Sequence, residues 1–175
     1  CIWNKVLIMA TELQFIKSAS GSGVSSLSVT DCFSSQYDVY QVTVTKLQTS
    51  TSANIDVRFI DESGVVSTST YDEAILILYS NTGFAEIRST GVTSIGGISF
   101  GNGSTVGASI NMTVFNPNDS SSYTFLTDQS NAWTGVLQGY KGIGVEKTAQ
   151  TITGINFFPS SGTLTEMEIA VYGVK

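Results

Sequence analysis

Apolar and polar residues alternate with a period of two along most of the chain. Because successive side chains of a β-strand point to opposite faces, this alternation predicts strands with one buried and one solvent-facing side. The run from Ala74 to Tyr79 is apolar throughout, which predicts a central strand covered on both faces, with a short buried helix as the alternative. Four segments have apolar residues at every second position: 40–44, 55–59, 110–114 and 167–171.

Turn-forming residues separate these runs. Residues 61–64, Asp-Glu-Ser-Gly, fit a tight hairpin, since glycine accepts the positive φ that a reversing chain requires. The glycine-rich stretch 139–144 predicts a further hairpin or bulge, and no helix follows it that could bind a phosphate. The sequence therefore predicts an all-β fold, a jelly-roll-like antiparallel β-sandwich of roughly eight to ten short strands.

The predicted sandwich is a single domain, residues 13–175, preceded by an N-terminal arm or extension, residues 1–12. Met9-Ala10-Thr11 also fits a translation start, which would make residues 1–8 an extension. Exposed apolar side chains mark contact sites, so we expect an assembly arm that docks onto another subunit. The apolar residues of this arm are Ile2, Trp3, Val6, Leu7 and Ile8.

Charge and composition narrow the possible partners. The formal net charge is −6, with only eight Lys and Arg residues in 175. Nucleic-acid binding depends on neutralising phosphates with basic residues, so no nucleic acid is expected as a partner. A membrane helix needs roughly 20 consecutive apolar residues, and without such a run we expect no membrane insertion. Cys1 and Cys32 are predicted to be free thiols.

The chain contains no histidine, which removes the commonest general base and the commonest zinc ligand. Ser-His-Asp and Cys-His catalysis are excluded with it. We therefore expect no enzymatic activity, no metal and no cofactor. A carboxylate-dependent glycosidase is a minor alternative, with Glu166 and Glu168 on one strand face. Calcium ligation is another, through residues whose spacing repeats no known calcium loop: Asn116, Asn118, Asp119 and Asp128.

Three aromatic residues of the second half stand in or near loop-like stretches: Tyr123, Trp133 and Tyr140. Sugar-binding sandwiches stack such rings on the apolar face of a pyranose, so these residues are candidate glycan contacts. Aromatic side chains of a sandwich more often belong to the core or to a subunit contact.

The C-terminal segment resembles a known family. Residues 151–158 read T-I-T-G-I-N-F-F, a Ser161-Gly162 turn follows, and the last strand contains Tyr172-Gly173. This pattern is similar to the closing hairpin of a β-sandwich domain in structural proteins of tailed bacteriophages. Three upstream segments are similar to the same group, so that the resemblance extends over most of residues 37–175: 37–40, 54–59 and 69–71.

The resemblance implies a non-enzymatic virion structural protein, assembled in the bacterial host cytoplasm. The expected role is that of a capsid cement or decoration protein, a homotrimer that stabilises the phage head by bridging capsid subunits. Its partners would be the major capsid protein or other virion proteins. The alternative is a fibre or tail module that binds a host-surface glycan through exposed loops.

Overall fold

A computed structural model of the chain describes residues 12–102 and 107–175. The described residues form thirteen β-strands and no helix, so they contain no segment that could cross a membrane as a helix. The strands are β1 (Leu13–Gly21), β2 (Leu27–Val29), β3 (Val39–Thr49), β4 (Ser52–Asp61), β5 (Gly64–Val65), β6 (Tyr71–Tyr79), β7 (Gly83–Val92), β8 (Ile95–Asn102), β9 (Ala108–Phe115), β10 (Thr124–Trp133), β11 (Leu137–Glu146), β12 (Gly154–Pro159) and β13 (Leu164–Val174).

The strands pair antiparallel in two sheets that form a sandwich. The larger sheet has eight strands in the order β1-β13-β3-β9-β10-β11-β6-β7. The smaller sheet has the order β2-β12-β4, and both β5 and β8 pair with the free side of β4. The predicted all-β antiparallel sandwich is thus confirmed. It is broader than a jelly roll of two four-stranded sheets.

The core lies between the sheets and contains the apolar positions that the alternation predicted. Tyr40, Val42 and Val44 of β3 face Ile55, Val57 and Phe59 of β4 across it, and all six are at most 1% exposed. The phenol of Tyr71 lies in the same core, where it donates a hydrogen bond to the Val66 carbonyl at 3.0 Å. It also accepts one from the Phe59 amide at 3.1 Å.

One turn is the hairpin expected at residues 61–64, and a second hairpin joins β6 to β7. Asp61 pairs with Gly64 between β4 and β5, and Tyr79 pairs with Gly83 between β6 and β7. Gly64 and Gly83 both have φ of 125°, a conformation that side chains with a Cβ rarely adopt.

The strand number was predicted too low, and the glycine-rich stretch 139–144 was assigned wrongly. This stretch belongs to the ten-residue strand β11. At the inward position Gly142, a Cβ would lie 2.2 Å from Asp128 Oδ1, and at Gly144 a Cβ would lie 2.5 Å from Ile95 Cδ1. Side chains from other strands therefore fill the space inside β11, and the strand lacks the apolar alternation that would reveal it.

The C-terminal pair of strands is not a hairpin. β12 pairs with β2 and β4 in the smaller sheet, whereas β13 pairs with β1 and β3 in the larger one. The turn at residues 160–163 therefore carries the chain from one sheet to the other. As a result, β13 lies inside the larger sheet and does not form its edge.

The segment from Ala74 to Tyr79 is a strand, as predicted, but it is not covered on both faces. Ile75 and Ile77 point into the core, while Leu76 and Leu78 are exposed on the outer face of the larger sheet. No described strand packs over that face, so its apolar side chains are exposed to solvent.

Candidate functional site

Exposed apolar side chains are concentrated on one sheet. Of the eleven large hydrophobic side chains that are exposed among the described residues, nine belong to strands of the eight-stranded sheet. A tenth, Tyr123, directly precedes β10, and Val65 of the smaller sheet is the exception. Large exposed apolar patches on soluble domains usually mark contact sites. The nine are Leu13, Phe15, Leu76, Leu78, Phe84, Phe125, Trp133, Leu137 and Ile143.

Five of these side chains form a cluster on β6, β7 and β11, named here the β6 patch. The strand register makes its members neighbours: Leu78 lies opposite Phe84, and Ile143 lies opposite Ala74, which is two residues from Leu76. Phe84 is the most exposed, at 75%. The β6 patch consists of Leu76, Leu78, Phe84, Leu137 and Ile143.

A groove of about 420 Å³ adjoins the β6 patch towards β10. Phe125 and Ile143 stand on its walls, and Asp72 lies at the end towards β6 and β7. Most of the surface that lines the groove is apolar. The polar residues in the lining are Asp72, Glu73 and neighbouring Ser and Thr residues. Such a groove suits an apolar side chain of a partner.

An apolar row runs from this groove across the sheet to the start of β1. The register places Phe125 opposite both Val145 and Phe115, and Phe115 opposite Val39. The register of β3 with β13 brings Val39 beside Val174, which lies opposite Leu13. The row therefore links the groove to Leu13, the first residue of the described sandwich.

Charged residues border the β6 patch. Lys147 Nζ lies 2.8 Å from Asp72 Oδ1, and Arg88 Nη2 lies 2.7 Å from Glu86 Oε1. The hydrogen bond from Lys147, followed by that from the Gly91 amide, lowers the pKa of Asp72. Lys141 is exposed between Gly139 and Ile143. The apolar patch thus has a rim with both signs of charge, as protein contact surfaces commonly do.

The three candidate glycan residues do not form one site. Tyr123 and Trp133 are 45% and 47% exposed, but they lie at opposite ends of β10, about 33 Å apart at 3.3 Å per residue. Tyr140 is only 4% exposed, and its phenol donates to Gln138 Oε1 at 2.5 Å. The assignment of Tyr140 as a surface contact was therefore wrong, because β11 turns it towards the core.

The other sequence candidates are dispersed. Lys46 Nζ lies 2.7 Å from Glu168 Oε1 and 3.9 Å from Glu166 Oε1, so a cation occupies the space between the two carboxylates. The Asp119 carboxylate accepts hydrogen bonds from Ser121 in the loop before β10. Asp128, by contrast, lies within β10 itself, and its side chain points into the core. In the described residues, no three acidic or cysteine side chains are grouped so that they could hold a metal ion.

The predicted assembly arm lies outside the described residues, so its members Ile2, Trp3, Val6, Leu7 and Ile8 are not placed. Cys32 is a free thiol, and burial raises its pKa to about 12.

The full or partial burial of three carboxyl groups was not predicted from the sequence. Asp128 is 3% exposed and neither carboxylate oxygen has a hydrogen-bond partner; burial raises its pKa to about 7. Asp56 accepts a hydrogen bond from the Gly97 amide at 3.0 Å, and Glu73 accepts one from the Gly96 amide. Burial raises the pKa of both of these carboxyls as well. Asp128 is thus buried in the core, whereas Asp56 and Glu73 are only partly buried, and Asp56 lies on the face of β4 opposite to Ile55 and Val57.

The β6 patch was also missed. The apolar run 74–79 was interpreted as buried on both sides, which concealed the exposure of Leu76 and Leu78. A signal was present at Phe84, whose neighbours at i±2 are Thr82 and Glu86, whereas a core position of a strand usually has apolar residues there.

No family model matches the chain, and no curated protein matches it either. The geometry of the apolar face is therefore the main support for a functional proposal.

Proposed function

We propose that the chain is a non-enzymatic virion structural protein, a capsid cement or decoration protein of a tailed bacteriophage. It stabilises the phage head by bridging capsid subunits. The observation that carries the proposal is the concentration of nine exposed large apolar side chains on the eight-stranded sheet. The resemblance of the C-terminal segment to phage structural proteins supplies the biological setting.

The mechanism is burial of apolar surface between neighbouring subunits. Each square ångström of apolar surface removed from water contributes roughly 25 cal/mol, so a patch of several large side chains stabilises a contact by several kcal/mol before ordering costs. The groove beside Phe125 would accept an apolar side chain of the capsid protein, and the mixed rim charges would fix the orientation. The homotrimer expected from the sequence stays a prediction.

The proposal is tested on particles purified from the phage or prophage that encodes the chain. We expect mass spectrometry to detect the chain on mature heads in a fixed ratio to the major capsid protein. Heads that lack the chain should release DNA at a lower temperature, and added purified chain should restore their stability.

Variants assign the effect to the apolar face. Phe125→Ser should bind heads more weakly, whereas Val65→Ser, an equally exposed apolar residue on the smaller sheet, should bind like the wild type. Heads that contain no copy of the chain, or that are equally stable without it, would contradict the proposal.

A fibre or tail module that binds a host glycan is the second candidate, and the exposure of Trp133 at the β10–β11 turn favours it. The ring lies opposite Leu137, beside the β6 patch. Glycan-array binding that is lost in Trp133→Ala but kept in Tyr123→Ala would support this function. A chain that binds no glycan on the array would rule it out in favour of assembly.

A further inference from the structure

The β6 patch and the residues beside it form three cross-strand rows with β6 in the middle. β11 and β7 flank β6 at about 4.8 Å on either side. The outward residues of the rows, from β11 through β6 to β7, are Gly139–Leu78–Phe84, Lys141–Leu76–Glu86 and Ile143–Ala74–Arg88.

We propose that a second copy of the chain packs face to face on this surface, related by a two-fold axis that runs along β6. This inference rests on the proposed function, because it names a second copy of the chain as a binding partner of the apolar face from which assembly is proposed. When two copies bring the same face together symmetrically, the two-fold axis that relates them must lie between the two sheets and parallel to them. An axis along β6 places β6 over β6 of the other copy, and β11 over its β7. The strands then run in nearly the same direction, which suits aligned sheet packing about 10 Å apart.

The shape of the rows fits this arrangement. The axis places Phe84 of each copy over Gly139 of the other. Phe84 is 75% exposed, whereas Gly139 has no side chain, and a Cβ built there would meet nothing closer than Leu78 Cδ1 at 3.7 Å. The most exposed side chain of the face, Phe84, thus lies over a position that has no side chain, Gly139. Leu76 and Leu78 meet their own counterparts on the axis.

The charges select this axis over the other in-plane choice. Along β6, Lys141 of one copy lies over Glu86 of the other, so the contact contains two oppositely charged pairs. An axis perpendicular to the strands through Leu76 would place Lys141 over Lys141 and Glu86 over Glu86, and like charges in a contact are unfavourable. The stem of Arg88 then covers Ile143, while its guanidinium retains the 2.7 Å ion pair with Glu86.

The face is large enough for a specific but reversible contact. Three strands and about six residues of length give a footprint of about 15 by 20 Å. With side-chain relief this is on the order of 600 Å² per copy, or on the order of 1,200 Å² in total, the lower end of specific interfaces. Although the chain has a net charge of −6, the face has Asp72 and Glu86 against three basic residues: Arg88, Lys141 and Lys147. Two acidic copies therefore meet without like-charge repulsion at the contact.

The test is sedimentation equilibrium of the purified chain between about 2 and 200 μM, a range that detects dissociation constants in the micromolar region. We expect a reversible dimer, or a hexamer if the three-fold association also forms. Phe84→Ser should raise the dissociation constant at least tenfold. Lys141→Glu and Glu86→Lys should each weaken the contact, and the double swap should restore it. Val65→Ser is the matched control and should associate like the wild type, and circular dichroism confirms that each variant is folded.

A chain that stays monomeric at the highest concentration overturns the two-fold contact, as does a trimer whose mass none of these variants changes. If Phe84→Ser weakens association but the charge swaps have no effect, the axis along β6 is wrong. The measurement uses the isolated chain, so its failure is distinguishable from failure of the proposed function. If the chain forms the dimer but is absent from phage heads, only the proposed virion function is contradicted. If the chain binds heads as a monomer, only the proposed two-fold contact is contradicted.

Discussion

Replacing Asp128 by Asn should stabilise the protein at neutral and alkaline pH but not in acid. The carboxyl lies on the inward face of β10, beside Gly142 on one neighbouring strand and Met112 on the other. It is 3% exposed and neither oxygen has a hydrogen-bond partner. A buried charge without partners is costly, so the folded protein holds the proton to unusually high pH.

The magnitude follows from the pKa. Burial alone raises the pKa of Asp128 from 3.8 to about 7, a rise of about three pH units, and each unit corresponds to about 1.36 kcal/mol. Because the folded-state pKa lies above the unfolded one, the stability linked to this group is complete below about pH 4 and is lost as the pH rises through about 7. Asparagine does not ionise. The variant should therefore exceed the wild type by on the order of 4 kcal/mol at pH 8 and by little at pH 4.

Urea unfolding at fixed protein concentration, followed by circular dichroism from pH 4 to pH 8.5, measures this difference. Asp119→Asn is the control with the opposite sign. Hydrogen bonds from the Ser121 side chain and amide lower the pKa of Asp119, so its contribution is present at neutral pH and is lost as the pH falls. A difference between Asp128→Asn and wild type that stays constant across the range, or a variant less stable at pH 8, would refute the reasoning.

Three further predictions concern the core. Gly142→Ala should destabilise the fold by about 1–3 kcal/mol in urea titrations, since its Cβ would lie 2.2 Å from Asp128 Oδ1. Tyr71→Phe should cost about 1–3 kcal/mol, because it removes the hydroxyl that serves two buried backbone groups. In a Cys1→Ser variant, Ellman's reagent at pH 8 should react with Cys32 only after unfolding, since burial raises the pKa of that thiol to about 12.

Each of these changes has a control or a contrary outcome. Gly139→Ala, where the nearest atom would be 3.7 Å away, should leave stability within about 0.5 kcal/mol of the wild type. Tyr123→Phe, at an exposed ring, should be similarly neutral. Rapid modification of native Cys32 would contradict this prediction, because it would show that the buried surroundings of the thiol open readily to solvent.

The strands that the sequence revealed are those whose buried side is apolar and whose other side is polar. The segments 40–44, 55–59, 110–114 and 167–171 are of this kind, and each is a strand with the expected face in the core. Local alternation is sufficient there because burial and solvation act on opposite sides of one strand.

Strand β11 has the reverse pattern, and no local rule identifies it. Its inward positions include Gly142 and Gly144, since Asp128 and Ile95 from other strands occupy the space. Its outward positions include the exposed Ile143. The interior volume available to β11 depends on residues that are distant in the sequence, so it is known only once the strands are assembled.

The sequence by itself determined the class of fold, the acidic and histidine-free chemistry, and which side chains share a face of a strand. The tertiary structure decided which of those faces another layer covers. Leu76 and Leu78 are as apolar as Ile75 and Ile77, yet only the latter pair is buried. The physical reason is that alternation records the direction of side chains along one strand, whereas burial depends on the position of the second sheet. The second sheet lies on one side of β6 only, and this leaves the apolar face from which assembly is proposed.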